Sequence, residues 1–253
     1  MIGSDHVAAS AWTRRFGWVV PSWNTVTEYE VQRLSPVGIS NHFARIAHTE
    51  DSEAAFERMA REAPGTLDLL VHAGVDAICY ACTAGSFFKG FDEDRALAER
   101  LTARAERPVV TMAGALVAAG RSLGFKRISV AAPYEPWLME RLVAFLEAGG
   151  FTVLSSSGLG HQANVLYEPG KALELAERSW DPAADGLIMS CGNFRTLEAI
   201  ESIEDALGRP VVTSVQASLW ALMRQSSIDD RIDGAGALLA RTDGSASRAG
   251  EAH

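Results

Sequence analysis

Three landmarks occur twice in this sequence, in the same order and at nearly the same spacing. An apolar stretch that ends in proline, at Pro21 and again at Pro133, is followed by an apolar stretch that ends in cysteine. Cys82 follows Pro21 by 61 residues, Cys191 follows Pro133 by 58, and the pentapeptide RPVVT comes after each cysteine. This register indicates a duplicated half. Two such halves usually pack around a pseudo-twofold axis, which would bring both cysteines towards one crevice.

The rest of the chain alternates short β-rich runs with longer amphipathic segments. Strands are predicted at 16–20, 39–46, 75–81, 109–111, 128–132, 151–155, 186–190 and 211–213. Helices are predicted at 51–63, 92–105, 135–148, 171–179 and 196–207. The pattern predicts an α/β fold with two pseudo-symmetric lobes, each a mostly parallel sheet flanked by helices, and an active site in the cleft between them. The alternative is two unrelated βαβ stretches that happen to have similar strands.

The repeat also suggests how the chain divides. Residues 13–115 together with 214–240 should form an N-terminal lobe, and residues 116–213 a C-terminal lobe. The ends, 1–12 and 242–253, are small, polar and aperiodic, so we expect them to be flexible and to carry no chemistry.

Composition and charge exclude several classes of protein. With 47% hydrophobic and 22% charged residues the chain is typical of a soluble globular protein, and its net charge of −9 would repel nucleic acid. No apolar run approaches the roughly 20 residues that span a bilayer, and the N-terminal stretch lacks the apolar segment of a secretory signal. We therefore expect a cytoplasmic protein with neither membrane nor nucleic-acid partners.

The cysteines are the strongest candidates for chemistry. Cys82 and Cys191 each follow a predicted strand, and ligands of open α/β sheets bind beyond the carboxyl ends of strands. Small residues after each cysteine leave backbone N–H groups accessible, which would lower the thiol pKa towards neutrality and make a nucleophile or a base. Cys79 lies inside a strand and is expected to be a core residue.

Other readings of these residues are weaker. Cys79 and Cys82 form a lone CxxC, but in an extended strand they would point to opposite faces, which does not suit a redox pair. No second CxxC or HxxxH completes a zinc site. Histidines 42, 48, 72 and 161 are singly placed and are interpreted as surface or core residues. We therefore expect no metal and no cofactor.

On these residues the chain resembles the aspartate/glutamate racemase superfamily, and most closely its branch of maleate cis-trans isomerases and arylmalonate decarboxylases. The similarity extends over about residues 17–224. It is carried by VPSWNT at 20–25, YACTAGSF at 80–87, the pair Pro133 and Tyr134, and the stretch 193–220 with its RPVV and QASLW.

The resemblance implies roles for particular residues. Cys82 and Cys191 match the catalytic positions. The implied substrate-binding residues are Asn24, Tyr134 and Asn164 as contacts to carboxylates, with Thr83 and Ser86 lining the pocket. Trp23 departs from the family pattern, which more often has a small residue there, and Val215 stands where Asn is expected. The resemblance also implies a homodimer or homotetramer.

These residues suggest a cofactor-independent isomerase that converts a cis-dicarboxylate such as maleate to the trans isomer by addition of Cys82 and rotation in a succinyl-cysteine intermediate. An alternative is an aspartate, glutamate or hydantoin racemase in which two cysteines exchange protons. Arylmalonate decarboxylation is disfavoured, because the decarboxylases of this branch keep only the second cysteine. A small-molecule binding protein is the alternative outside enzymes.

Overall fold

The computed structural model describes residues 13–163 and 165–241, and within them the chain forms two four-stranded parallel sheets. The first contains β1 (Arg14–Pro21), β2 (Ile39–Ile46), β3 (Ala77–Tyr80) and β4 (Val109–Thr111) in the order β2-β1-β3-β4. The second contains β5 (Arg127–Ala132), β6 (Thr152–Gly158), β7 (Gly186–Met189) and β8 (Val211–Thr213) in the order β6-β5-β7-β8. Adding four to each strand number of the first sheet gives the strand order of the second sheet, as expected for a duplication.

Helices connect and cover the strands. Five of them follow the strands of the first sheet: α1 (Val26–Leu34), α2 (Glu53–His72), α3 (Thr83–Phe87), α4 (Phe91–Ala105) and α5 (Met112–Ser122). The remainder are α6 (Pro136–Ala148), α7 (Gly170–Ser179), a 3₁₀ turn (Leu197–Ala199) that leads into α8 (Ile200–Leu207), α9 (Ser214–Gln225) and the short α10 (Gly236–Leu239). No helix in the described part of the chain is long and apolar enough to cross a bilayer.

The two RPVVT copies occupy equivalent places. Each supplies the last strand of its sheet, β4 or β8, and ends in a threonine that precedes a helix. The Thr111 hydroxyl accepts a hydrogen bond from Gly114 N at 3.1 Å, which caps α5, and Thr213 stands at the same position before α9. The predicted α/β fold with two similar parallel sheets is confirmed.

All eight predicted strands are present, whereas several helices differ from prediction. The helix predicted at 51–63 continues to His72, because Leu67 and Leu70 keep the apolar face of α2 buried beyond Pro64. Five helices were not predicted: α1, α3, α5, α9 and α10. In α9 the reason is clear, since every residue from Ser214 to Met223 is buried and no polar face marks the period.

Helix α9 belongs to the chain's last segment, yet it packs against α1, β3 and α5 of the first half. This packing is why we propose that residues 214–240 join the N-terminal lobe. The terminal segments 1–12 and 242–253, expected to be flexible, lie outside the described residues.

Candidate active site

The loops beyond the carboxyl ends of strands from both sheets meet around one small cavity, in which the centre of a water-sized sphere has about 20 Å³ of space. This is room for about one water molecule, so a larger ligand requires the walls to move apart. Its lining consists of Trp23, Asn24, His48, Asp51, Ala81, Cys82, Thr83, Ala84, Tyr134, Ala163, Cys191, Gly192 and Asn193. The two cysteines thus reach the same cavity from β3 and β7, which occupy equivalent places in the two sheets.

Cys82 lies at the start of the short helix α3. Its Sγ accepts a hydrogen bond from Gly85 N at 3.3 Å, and its carbonyl accepts one from the Ser86 hydroxyl at 2.7 Å. Ser86 therefore braces the turn that presents Cys82, and it does not line the cavity, in contrast to the role that the family resemblance implied. Thr83 lines the cavity, and Cys79 is fully buried in β3 away from it.

Cys191 has an unusual backbone conformation, with φ of 114°. Such a conformation costs a non-glycine residue on the order of 1–3 kcal/mol and persists only where neighbours enforce it. One such neighbour is Ser214, whose hydroxyl accepts a hydrogen bond from Cys191 N at 3.0 Å and another from Thr83 Oγ1 at 3.1 Å. The first residue of α9 thus joins the turns that carry the two cysteines.

Burial dominates the acidity of both thiols. It raises the pKa of Cys82 far above its usual range and the pKa of Cys191 to about 12. The N–H of Gly85 lowers the pKa of Cys82, and the N–H of Asn193 and the hydroxyl of Tyr134 lower that of Cys191, but neither effect offsets burial. The sequence-based expectation of a pKa near neutrality is therefore wrong, because the accessible N–H groups lie in an enclosed site.

Tyr134 follows β5 of the second sheet and lines the cavity. Its hydroxyl lies 3.3 Å from the Ser190 hydroxyl and within hydrogen-bond reach of the Cys191 thiol. Burial and the nearby Cys191 raise the pKa of Tyr134 well above its usual range, so the phenol keeps its proton and is able to donate it in a hydrogen bond.

Asn24 has a structural task as well as a place on the cavity wall. Its Oδ1 accepts hydrogen bonds from Val26 N at 3.0 Å and Thr27 N at 2.9 Å, which caps α1, and its Nδ2 donates to Thr27 Oγ1 at 3.0 Å. An amide nitrogen carries two hydrogens, so Nδ2 can donate one further bond. Asn164, the third predicted carboxylate contact, lies outside the described residues.

Asn193 connects α1 to the loop after Cys191, and sequence reasoning missed it. Its Oδ1 accepts a hydrogen bond from Thr25 N at 2.9 Å, and its Nδ2 donates to the Ala163 carbonyl at 2.8 Å. The Thr27 hydroxyl adds a bond to the Gly192 carbonyl at 2.8 Å. No local motif reveals contacts between residues some 165 positions apart.

Glu30 adds a buried carboxyl to the same connection. One of its oxygens accepts hydrogen bonds from Thr196 N at 2.7 Å and Leu197 N at 2.9 Å, beyond Cys191 in the second half. Burial nevertheless raises the pKa of Glu30 to about 7, and its charge raises the pKa of Cys191. The connection that Glu30 makes between α1 and the second half therefore depends on pH.

We expect Glu30→Gln to stabilise the fold above pH 7. In the unfolded chain the carboxyl loses its proton near its ordinary pKa of 4.5, whereas in the fold it keeps the proton up to about pH 7. Glu30 therefore contributes stability that is present below pH 4.5 and lost as the pH rises through 7. Glutamine keeps the acceptor oxygen without the charge, so at pH 8 the variant should gain roughly 2–3 kcal/mol in unfolding free energy.

Urea unfolding of the native chain and the variant at pH 5 and pH 8 measures this difference. Glu62→Gln, on the exposed face of α2, is the matched control and should change neither value. Equal stability of the native chain and Glu30→Gln at pH 8 would contradict the assignment.

A buried histidine and aspartate also line the cavity, after the end of β2. His48 Nε2 lies 3.2 Å from Asp51 Oδ1, and Asp51 Oδ2 accepts a hydrogen bond from Ala163 N at 2.6 Å. The ring of Trp23 packs edge-on against the His48 ring with centroids 4.7 Å apart. His48, interpreted from sequence as a surface or core residue, is in fact a cavity residue, and its position three residues before an acid beyond a strand end was the available signal.

Two similar parallel sheets with one cysteine from each half on a shared cavity define a protein of the aspartate/glutamate racemase type. Comparison with known proteins narrows this class, since the family model described as arylmalonate decarboxylase matches residues 20–239. The maleate isomerase of Nocardia farcinica is 32% identical over 240 residues, which is 89% of this chain and 95% of that protein. The chain belongs to the arylmalonate decarboxylase and maleate isomerase family.

Solved structures agree with this assignment. The maleate isomerase of Pseudomonas putida S16 in a structure with maleate superposes with a TM-score of 0.85 at 26% identity, covering 90% of this chain and 97% of that one. A Nocardia farcinica maleate cis-trans isomerase mutant with a covalently bound succinylcysteine intermediate gives 0.84 at 28% identity, covering 89% and 98%. Relatives in the family are thus isomerases or decarboxylases.

Proposed function

We propose that this chain is a cofactor-independent maleate cis-trans isomerase in which Cys82 and Cys191 are the catalytic residues. The observation that carries the proposal is the placement of both thiols on one small cavity, each at the end of an equivalent strand. A decarboxylase of this branch needs one thiol, so the second thiol favours chemistry that uses two.

Addition begins the reaction. The Cys82 thiol first loses its proton to water, and its sulfur then bonds to one olefinic carbon of maleate while the C=C electron pair moves towards the other carbon and its carboxylate. Hydrogen-bond donors on the wall stabilise the resulting enediolate. Because burial raises the pKa of Cys82, the thiolate is a minor but reactive species.

Cys191 completes the cycle as acid and then base. Its S–H protonates the carbanionic carbon, which gives a succinyl-cysteine in which the central C–C bond is single and rotates. After rotation the Cys191 thiolate removes a proton from the same carbon, the double bond reforms and Cys82 leaves as a thiolate. Tyr134, which lowers the pKa of Cys191, stabilises that thiolate.

The carboxylates need donors rather than metals. We assign one to Asn24 Nδ2 and the N–H groups of the turn after Cys82, with Thr83 beside them, and the other to the Tyr134 hydroxyl and Asn164. Hydrogen bonds to a charged group contribute about 1.5–3 kcal/mol each, so several of them offset the cost of burying a dianion.

We infer that the side chain of Trp23 limits the size of the substrate. It is half-buried on the cavity wall, where a smaller side chain would leave room for a substituent on the double bond. We expect Trp23→Ala to raise the ratio of kcat/KM for 2-methylmaleate over maleate by about tenfold or more, since one methyl group in a pocket is worth roughly 10- to 200-fold. Initial rates with both substrates measure the ratio.

Val215 provides the control for this prediction. It is the other departure from the family pattern, but it is buried in α9 and does not line the cavity. Val215→Ala should leave the ratio of kcat/KM for the two substrates unchanged. An unchanged ratio in Trp23→Ala would show that Trp23 does not limit the size of the substrate.

Proton NMR of the purified protein with maleate tests the function itself. We expect the maleate olefinic signal to be replaced by that of fumarate without added metal or nucleotide. Deuterium uptake at the α-carbon of aspartate, glutamate or a hydantoin, with maleate unchanged, would instead identify a two-cysteine racemase.

A further inference from the structure

The pair of His48 and Asp51 has features that neither the fold nor the two-thiol mechanism requires. Both side chains are almost completely buried, at 1% and 3% exposure, and both line the cavity that holds the cysteines. His48 Nδ1 is buried and has no hydrogen-bond partner. An unpaired buried polar atom destabilises the fold, so its retention in a residue of the cavity wall points to a partner that arrives with the ligand.

The hydrogen bonds of Asp51 fix the state of the ring. Asp51 accepts a hydrogen bond from Ala163 N through Oδ2, which suits a carboxylate, and its Oδ1 then takes the proton on His48 Nε2. The ring faces of His48 are held by Phe56, stacked at 5.2 Å between centroids, and by the edge of Trp23. The imidazole is thus locked with Nδ1 as its free nitrogen.

Charge around the cavity shows what this nitrogen can bind. Among the described residues the lining contains neither Lys nor Arg, and its titratable groups besides His48 are Asp51, Cys82, Cys191 and Tyr134. Arg45 binds the Asn24 carbonyl at 2.7 Å but is not part of the lining, so an entering dianion would meet the Asp51 carboxylate with no cation on the described wall. In a poorly solvated cavity this repulsion opposes binding strongly. A proton on His48 Nδ1 removes it and creates a charge-assisted donor.

We propose that His48 is a substrate-binding residue that takes up a proton when a dicarboxylate enters, and donates from Nδ1 to the carboxylate on the side lined by Trp23 and Ala163. Asp51 is the positioning residue that orients the ring and balances the imidazolium. The inference rests on the proposed function for its ligand, a C4 dianion. It adds to that function a positively charged residue that binds the substrate, and it links substrate binding to proton uptake by His48.

A purely structural pair would behave differently. Asp51 joins the loop after β2 to Ala163 of the second half, so loss of the pair alone would lower stability. It would not make ligand binding consume protons. Proton uptake on binding therefore separates the two roles.

Isothermal titration of the Cys82→Ser protein with maleate provides the test, because this variant binds without reacting. Titrations at pH 8 in two buffers of different ionisation enthalpy give the number of protons taken up. We expect about one proton per maleate, because the ring must carry a proton on both nitrogens to donate to Asp51 and to the ligand at once. The dissociation constant should rise between pH 7 and pH 9 as the proton becomes harder to supply.

His48→Gln in the same background removes Nδ1 and keeps an amide that can donate to Asp51. We expect this variant to take up no proton and to bind maleate about 10- to 100-fold more weakly, the loss of one charge-assisted hydrogen bond. The control His72→Gln, on the exposed end of α2, should match the parent in both measurements.

The outcomes separate this inference from the proposed function. The role of His48 is overturned if the Cys82→Ser protein binds maleate without taking up a proton, or if it does not bind maleate. Both outcomes count whether or not His48→Gln folds. Equal affinity of His48→Gln and its parent overturns it too. Conversion of maleate by the native chain is a separate measurement, so isomerisation without proton uptake leaves the function standing, and uptake without conversion leaves the role of His48 standing.

Discussion

Cys82→Ser should abolish conversion of maleate to fumarate, with kcat lower by at least about 10⁴-fold. A serine hydroxyl is far less nucleophilic and far less acidic than a thiol, and the other thiol on the described cavity wall, Cys191, is assigned to proton transfer. Serine keeps nearly the same volume and still accepts a hydrogen bond from Gly85 N, so the α3 turn should remain intact. The rate of fumarate formation at saturating maleate measures the loss.

Cys79→Ala is the matched control for this prediction. Cys79 is three residues earlier in the chain, fully buried in β3 and absent from the cavity lining. Its loss should lower stability by a small cavity cost and leave kcat within a few-fold of the native value. Turnover of maleate by Cys82→Ser at the native rate would show that Cys82 is not a covalent nucleophile.

Cys191→Ser should lower turnover by about 10²- to 10⁴-fold, the range for loss of a proton-transfer group. Addition by Cys82 can still occur with a proton from water, but recovery of the proton after rotation lacks its base. The expected signature is a slow or absent steady state preceded by consumption of about one equivalent of maleate, read in a quench experiment at high enzyme concentration.

The contrast with Cys82→Ser makes this second prediction specific. Loss of the nucleophile prevents the first step and gives no initial consumption, whereas loss of the base stops the reaction after it. Identical behaviour of the two serine variants, with neither consuming any maleate, would mean that the thiols act together in the first step, as in a two-base racemase.

Much of the fold could be predicted because duplication leaves its mark on local sequence. Each Pro–Cys–RPVVT set marks the ends of three strands that are mostly buried, and such strands read as apolar runs with little ambiguity. Helix α9 could not be found in the same way. It is buried all round, so its sequence has no polar face, and only the tertiary structure shows that it supports Cys191 through Ser214.

The site was predictable where it depends on strand ends and unpredictable where it depends on contacts between halves. Cys82 and Cys191 each lie beyond the carboxyl end of a strand in their own parallel sheet, whereas Asn193 of the second half accepts a hydrogen bond from Thr25 N of the first. The thiol pKa values depend on enclosure by both lobes, which sequence does not reveal. The one local signal for His48 was the acid three residues later beyond a strand end, and that signal alone does not distinguish a cavity wall from the protein surface.

Mass spectrometry of the Cys191→Ala protein after incubation with maleate tests the central claim most directly. We predict that the intact mass rises by one maleate and that fragmentation of the peptide that holds both Cys79 and Cys82 places the succinyl group on Cys82. No adduct in a protein that still binds maleate, or an adduct on Cys79 instead, would contradict addition by Cys82 in the shared cavity.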